Sequence, residues 1–206
     1  MRPHIIGIAG PSSSGKTELA RQLVQKLPGT SIVSLDSYYR GMEEIPLAER
    51  KKVNFDHPDA LDWELLHRHL RAIAQGRAFD EPVYSFADYA RTAATRRIEP
   101  SEFVIVEGLF VLYWPQLRAV LDTKVYVQTD PAVCFERRLR RDVAERGRTP
   151  ESVREQYECT VRPSAEWFVF PTMKYAGMVV SGEEPLTVST STVLHALGRA
   201  QTAGVG

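Results

Sequence analysis

The stretch that most constrains this chain is Gly10-Pro11-Ser12-Ser13-Ser14-Gly15-Lys16-Thr17, a glycine, four residues, then Gly-Lys-Thr. It fits the phosphate-binding P-loop pattern in full. The apolar run Ile5 to Ala9 before it reads as a buried strand, and Glu18 to Lys26 after it reads as a helix. Strand, glycine loop and helix is the order in which backbone N–H groups and the positive end of a helix converge on phosphate oxygens. Gly10 and Gly15 permit the tight turn, Ser12, Ser13 and Ser14 supply inward-pointing N–H groups, Lys16 reaches the β and γ phosphates, and Thr17 offers a hydroxyl to Mg²⁺. The competing reading is a Ser/Gly-rich surface loop with a solvated lysine, which the two flanks disfavour.

Two further acids are placed by the same logic. Ser31 to Leu35 reads as a second strand ending at Asp36, and Phe103 to Val106 as a fully buried strand ending at Glu107-Gly108. Strands separated by crossover helices predict a parallel α/β sheet, whose ligand crevice lies outside the carboxyl ends of the strands. Asp36 is therefore a candidate base, and Glu107 a candidate partner for Mg²⁺ or its waters. Either carboxylate could instead cap its own turn.

The rest of the chain adds supporting elements. Arg40 to Lys52 is polar, interrupted by Pro46, and reads as an excursion. Asp62 is the expected N-cap of a helix over Trp63 to Ala74, with Leu65, Leu66, Leu70 and Ile73 on its core face and Gly76 beyond its end. His67 and His69 on that helix lack partners at metal spacing and read as solvated. Pro82 to Phe86 and Thr95 to Ile98 predict a small β excursion, over about 80–100, whose Tyr84, Phe86 and Tyr89 are either ordinary packing or stacking walls for a flat base. Further strands are expected at Lys124 to Val127 and Met178 to Ser181, and helices at Trp114 to Leu121 and Thr192 to Arg199, before a fraying tail over Gln201 to Gly206. The count comes to five strands.

The densest charge lies between the last two strands, where Arg137, Arg138, Arg140, Arg141, Arg146 and Arg148 interleave with Asp142 and Glu145. As one helix, Arg137, Arg141 and Arg148 share a face. The run is either a solvated, salt-bridged surface or a lid, over about 137–162, that closes on a triphosphate and excludes water. Bulk properties add exclusions. The 26 basic residues balance the 26 acidic ones, so no nucleic-acid footprint or attraction to anionic membranes is expected. Two cysteines, Cys134 and Cys159, make no disulfide framework, and neither a signal-peptide core nor a membrane-length apolar run is present in the sequence. A cytoplasmic, single-domain protein over residues 1–206 is the expectation.

With these residues assembled, the chain resembles the uridine/cytidine kinases, a branch of the P-loop nucleoside kinases related to phosphoribulokinase. The resemblance runs from Gly10 to about Ala176. It rests on the P-loop, Asp36-Ser37-Tyr38-Tyr39, Asn54-Phe55-Asp56-His57-Pro58-Asp59-Ala60, Pro82-Val83-Tyr84, Glu107-Gly108, Arg141-Asp142, Glu145-Arg146-Gly147-Arg148, Gln156-Tyr157 and Pro171 to Ala176. It implies a P-loop NTPase fold, three-layer α/β/α with a parallel five-stranded sheet, and transfer of the γ phosphate of ATP or GTP to the 5′-hydroxyl of cytidine or uridine. Asp36 resembles the family's catalytic aspartate, with Lys16 and Arg141 neutralising developing charge. Asp56, with Arg138 nearby, resembles the ribose anchor, and Tyr39, Phe55, Tyr84 and Phe86 the acceptor pocket. Arg141 and Arg148 resemble lid residues on the triphosphate, Gln156 a further substrate contact, and Thr17 with Glu107 the Mg²⁺ partners. A homo-oligomer, commonly a tetramer, is also implied.

Two positions depart from the family pattern. After Pro-Val-Tyr the family usually has Asp, then a His four residues later that addresses the 4-position of the pyrimidine; here Ser85 and Tyr89 stand instead. A tyrosine hydroxyl can donate or accept, and if Ser85 or Asp88 claims its hydrogen the remaining lone pair suits the amino group of cytosine. A cytidine preference is the resulting expectation. Two rivals stay open: a related kinase of another ribosyl alcohol, such as nicotinamide riboside or ribulose phosphate, and a nucleotide-binding regulatory protein with little catalysis.

Overall fold

A computed structural model describes residues 2–42, 44–50 and 53–198. Part of the predicted excursion over 40–52, the expected last helical residue Arg199 and the tail over 201–206 lie outside the described residues.

The central sheet is built from β1 (His4–Ala9), β2 (Thr30–Ser34), β5 (Phe103–Glu107), β6 (Thr123–Gln128) and β7 (Met178–Ser181). They lie in the order β2-β5-β1-β6-β7, and every pairing is parallel. Alternation along the strands splits the core in two. Ile5, Ala9, Val104 and Val106 face one apolar cluster with Leu66, Leu70 and Leu117. Ile6, Ile8 and Ile105 face the other with Leu19, Leu23 and Val193. Helices α1 (Lys16–Lys26), α2 (Trp63–Ala74), α3 (Pro115–Val120), α4 (Pro131–Arg146), α5 (Pro150–Gln156) and α6 (Leu186–Ala196) supply the covering layers. Burial on both faces is why β1 and β5 read as nearly unbroken apolar runs.

β3 (Phe79–Ser85) and β4 (Ala90–Ile98) form a separate antiparallel hairpin. It meets β2, an edge strand, through side chains rather than a ladder. Glu81 Oε1 accepts from the Ser34 amide at 3.1 Å, while Arg96 donates to the Ile32 carbonyl at 2.6 Å and to Glu81 Oε2 at 2.5 and 2.8 Å. Edge groups of β2 that would otherwise invite another chain are thereby covered.

Several elements differ from their expected form. Leu35 is not the end of the strand but the first residue of a 3₁₀ turn, Leu35–Tyr38. Its side chain packs so tightly over Gly108 that a Cβ there would lie 2.2 Å from Leu35 Cβ. The last helix starts at Leu186, not Thr192, and its hydroxyls bond to carbonyls one turn back: Thr190 to Leu186 at 2.7 Å and Thr192 to Val188 at 3.0 Å. His69 is not solvated. Its Nδ1 meets the Tyr38 hydroxyl at 2.9 Å and its ring stacks on Phe79, and it shares the core-facing stripe of α2 with Leu66 and Ile73. Nor is the arginine run one helix. α4 stops at Arg146 with Gly147 left-handed at φ 62°, and α5 restarts behind the Thr149 cap.

Candidate active site

The loop between β1 and α1 carries its conformation in the backbone. Gly10 has φ +155°, and a Cβ there would lie 2.6 Å from the Val127 carbonyl; Ser13 and Gly15 are also at positive φ, 64° and 99°. Gly15 caps α1 with no side chain of its own, so the first N–H groups of the helix stay open. Among the described residues, the buried hydroxyls of Ser13 and Ser14 have no hydrogen-bond partner. A cradle of open donors on a helix N-terminus fits an anion. Lys16 Nζ folds back to the Pro11 carbonyl at 3.4 Å. Gly182, just past β7, closes the loop from behind, since a Cβ there would meet the Ser14 carbonyl at 2.1 Å.

Beside the cradle, Glu107 at the tip of β5 accepts from Thr17 Oγ1 at 3.1 Å and from Ser34 Oγ at 3.0 Å. Burial raises its pKa, against the pull of Lys16. A divalent cation would restore the favoured charge of this carboxylate. The donor set is hard oxygen, and no cluster of three His, Cys, Asp or Glu fit to hold a metal occurs among the described residues. Few protein ligands with the rest left to phosphates and water is how Mg²⁺ is usually held, so the residues fit that ion.

The cradle opens into a cavity of about 660 Å³. Three segments build its far wall. The 3₁₀ turn after β2 brings Asp36 and Tyr39, the stretch before α2 brings Phe55 and Asp56, and the hairpin brings Tyr84, Phe86 and Tyr89. Tyr39 is the hub of the aromatic set, 5.2 Å from Phe55 and 5.3 Å from Tyr84 between ring centroids, while Tyr89 faces Phe55 at 5.5 Å. Burial, reinforced by Asp36 and then Asp56, pushes the Tyr39 phenol up, so it stays protonated. Asp56 is buried at 8 % exposure, and burial raises its pKa while Arg138, 3.7 Å away, lowers it.

Arg138 is the junction of the two halves. It donates to Ser12 Oγ in the phosphate loop at 2.9 Å and to Gln156 Oε1 at 3.1 Å, and it pairs with Asp56 on the acceptor side. Arg148 also donates to Gln156. Arg138, Arg141, Arg146 and Arg148 surround Asp142, which is fully buried, at 3.5, 2.8, 3.6 and 3.8 Å. Arg137 does not share their face. It turns away to the Gly182 carbonyl, and Arg148 reaches the cavity because Gly147 folds the chain back after the helix.

Beyond the loop residues Gly10, Ser13, Ser14 and Gly15, every residue that the family resemblance gives a catalytic, substrate, triphosphate or metal role lines the cavity. Three participants were not singled out. Ser34 was hidden inside a strand, Asp142 inside a charge run, and Arg146 sits 5.2 Å over the exposed Phe86 ring. Burial and Arg141 lower the pKa of Arg146, against the pull of Asp142. Ser85 donates to Asp88 Oδ2 at 2.6 Å, and among the described residues neither is hydrogen-bonded to the Tyr89 hydroxyl, contrary to the expectation.

The profile described as the phosphoribulokinase/uridine kinase family matches residues 5–188. The chain belongs to that family. A uridine kinase of Chloroflexus aggregans is 48 % identical over 182 residues, covering 87 % of each chain. A uridine kinase of Ligilactobacillus salivarius is 39 % identical over 191 residues, covering 91 % of this chain and 90 % of that one. Among solved structures, the phosphoribulokinase from Rhodobacter spheroides superposes with a TM-score of 0.67 at 17 % identity, over 90 % of this chain and 74 % of its own. D-glycerate 3-kinase from Cryptococcus neoformans does so at 0.66 and 18 %, over 89 % and 88 %. At these identities the superpositions speak to the fold, which is the α/β P-loop NTPase fold. The family is one of phosphotransferases. Among the described residues no helix is long and apolar enough to cross a membrane.

Proposed function

We propose that the chain transfers the γ phosphate of a nucleoside triphosphate, ATP or GTP, to the 5′-hydroxyl of cytidine or uridine. The observation that carries the proposal is the joining of two unlike halves in one cavity, a phosphate cradle and an aromatic-walled pocket with a buried carboxylate, with Asp36 lining it between them. A nucleotide switch needs the first half and has no use for the second. In this reading Asp36 takes the proton from the attacking hydroxyl. Asp56 accepts from the ribose 2′ and 3′ hydroxyls, and Tyr39, Phe55, Tyr84 and Phe86 enclose the base. Lys16, Arg138, Arg141 and Arg148 hold the phosphates and meet the charge that develops on them. Thr17 and Glu107 hold Mg²⁺, which when bound neutralises charge on the phosphate oxygens.

The base reading favours cytidine. The base end of the cavity carries a donor in Arg146, which lies over the Phe86 ring. Cytosine presents an acceptor at N3 where uracil presents an N–H, and the Tyr89 hydroxyl can accept from the cytosine amino group. A coupled assay over a nucleoside panel, run with ATP and with GTP, tests the whole reading. Cytidine with the higher kcat/KM and uridine second is the expected result. Uridine equal to cytidine removes the base preference. Turnover confined to nicotinamide riboside or ribulose phosphate overturns the substrate assignment, and no nucleoside-stimulated diphosphate release overturns the kinase reading.

A further inference from the structure

The acceptor wall comes from three segments distant in sequence, and one side chain outside the cavity lining bonds to two of them from the third. The 3₁₀ turn Leu35–Tyr38 ends at Tyr39, which is extended at φ −56° and ψ 140°. Carbonyls at such an end have no partner in their own turn. Arg91, on β4, supplies one. Its Nε donates to the Tyr39 carbonyl at 2.8 Å and its second terminal nitrogen to the Tyr38 carbonyl at 3.1 Å. Its first terminal nitrogen donates to Asp62 Oδ2 at 3.2 Å. Asp62 is fixed in turn, since its other oxygen caps α2 through the Leu65 amide at 3.1 Å and its own amide donates to the Tyr38 carbonyl at 2.9 Å. A bridge between Tyr39 and Leu61 ties the same two segments. The Arg91–Asp62 pair is shielded, with side chains 21 % and 23 % exposed.

We infer that Arg91 is a positioning residue that holds the segment bearing Asp36 and Tyr39, the segment bearing Phe55 and Asp56, and the hairpin bearing Tyr84, Phe86 and Tyr89 in one mutual register. The inference rests on the acceptor-site reading above. Its consequence is mechanical. Arg91 follows Tyr89 by two residues, so a base seated against the hairpin is referred through one planar guanidinium to the turn that carries Asp36. Binding energy gained at the base is thus available to align the 5′-hydroxyl with its base. A lysine cannot replace the fork, because its single nitrogen cannot reach two successive carbonyls and a carboxylate in one plane.

The test uses the full chain with Arg91→Lys, Arg91→Gln and Arg91→Ala. The first readout needs no substrate: hydrogen exchange of the amides over 36–41 and 55–62 is expected to quicken in Arg91→Lys while the loop over 10–17 keeps its wild-type protection. Unchanged exchange in both segments overturns the inference whatever the enzyme acts on. The second readout is kinetic. With saturating cytidine, kcat is expected to fall roughly 10- to 100-fold in Arg91→Gln and nearly as far in Arg91→Lys, the scale of a misaligned attack, while the dissociation constant of a non-hydrolysable triphosphate stays put. Millimolar guanidinium ion is expected to restore part of the rate in Arg91→Ala. A folded Arg91→Gln with wild-type kcat overturns the inference and leaves the acceptor reading intact; a wild type inert towards every nucleoside overturns the acceptor reading instead, and the exchange result then judges the register alone.

Discussion

The two halves of the cavity are built in opposite ways. The phosphate cradle is eight consecutive residues whose shape is set by backbone torsions and by glycines at Gly10 and Gly182, where a single Cβ would collide with the Val127 or Ser14 carbonyl. It sits on β1 at the centre of the sheet. The acceptor wall has no such continuity. Its three segments lie outside the main sheet and are held by side chains, with Arg91 and Arg96 reaching from the hairpin and Arg138 from α4. Donor binding should therefore survive changes that dismantle the acceptor side, and affinity for triphosphate becomes the internal control for every acceptor-side variant.

The largest separation of the halves is expected from Asp36→Ala. Removing a general base costs roughly 10³-fold in kcat. Triphosphate affinity, measured by titration calorimetry, is expected to stay within about twofold, because Asp36 makes no hydrogen bond to the loop in this structure. Unchanged turnover would remove Asp36 from the chemistry.

Asp56→Asn comes next. An ionised acceptor facing two hydroxyls is worth about 2 to 3 kcal/mol, so kcat/KM for the ribonucleoside should drop roughly 30- to 160-fold and discrimination against the 2′-deoxy analogue should shrink. The wild type carries a pH signature of the same residue. Burial raises the Asp56 pKa, so on acidification it protonates earlier than an ordinary aspartate and ceases to accept. KM for the nucleoside is then expected to climb as pH falls through a value above the usual aspartate range. Glu107 is raised too and affects the metal side, but Asp56→Asn should erase only the step in nucleoside KM. Persistence of that step in the variant would assign it elsewhere.

The same contrast explains what could be read from the sequence. The cradle was fully legible, because a contiguous motif between a strand and a helix has one local solution. The inner strands β1 and β5 were legible because burial on both faces makes them nearly unbroken apolar runs. Asp36 and Glu107 were legible as candidates through position, at strand tips, and Asp56 only through the family resemblance. Two things that escaped depend on contacts between distant residues, Ser34 on Glu107 and Arg91 across the turn after β2, whereas the four arginines around Asp142 lie within six residues of it and were hidden in the charge run. A period of 3.6 placed Arg137 and Arg148 together, and a left-handed glycine after Arg146 undid it. His69 had a legible signal, lying three residues after Leu66 and four before Ile73, but polarity outweighed the stripe.

The smallest effect should appear where the hairpin meets the sheet, and it is one of stability rather than rate. Glu81 is 1 % exposed and its pKa is raised by burial, with Arg96 pulling it back down. A carboxyl whose folded pKa is raised contributes its stability fully below the unfolded value and loses it as pH rises through the folded one. Arg96→Met removes the one group lowering that pKa most, so the folded value moves further up and the loss at neutral pH deepens. Because Arg96 is half exposed and bonds from the rim, the cost is about 1 kcal/mol at pH 7, well below that of breaking a wholly buried pair. Urea unfolding of wild type and variant at pH 4 and pH 7 measures it: the gap between the two proteins is expected to widen with pH, while triphosphate affinity stays constant. A gap that is flat or narrows with pH would mean that Glu81 is not the group Arg96 holds.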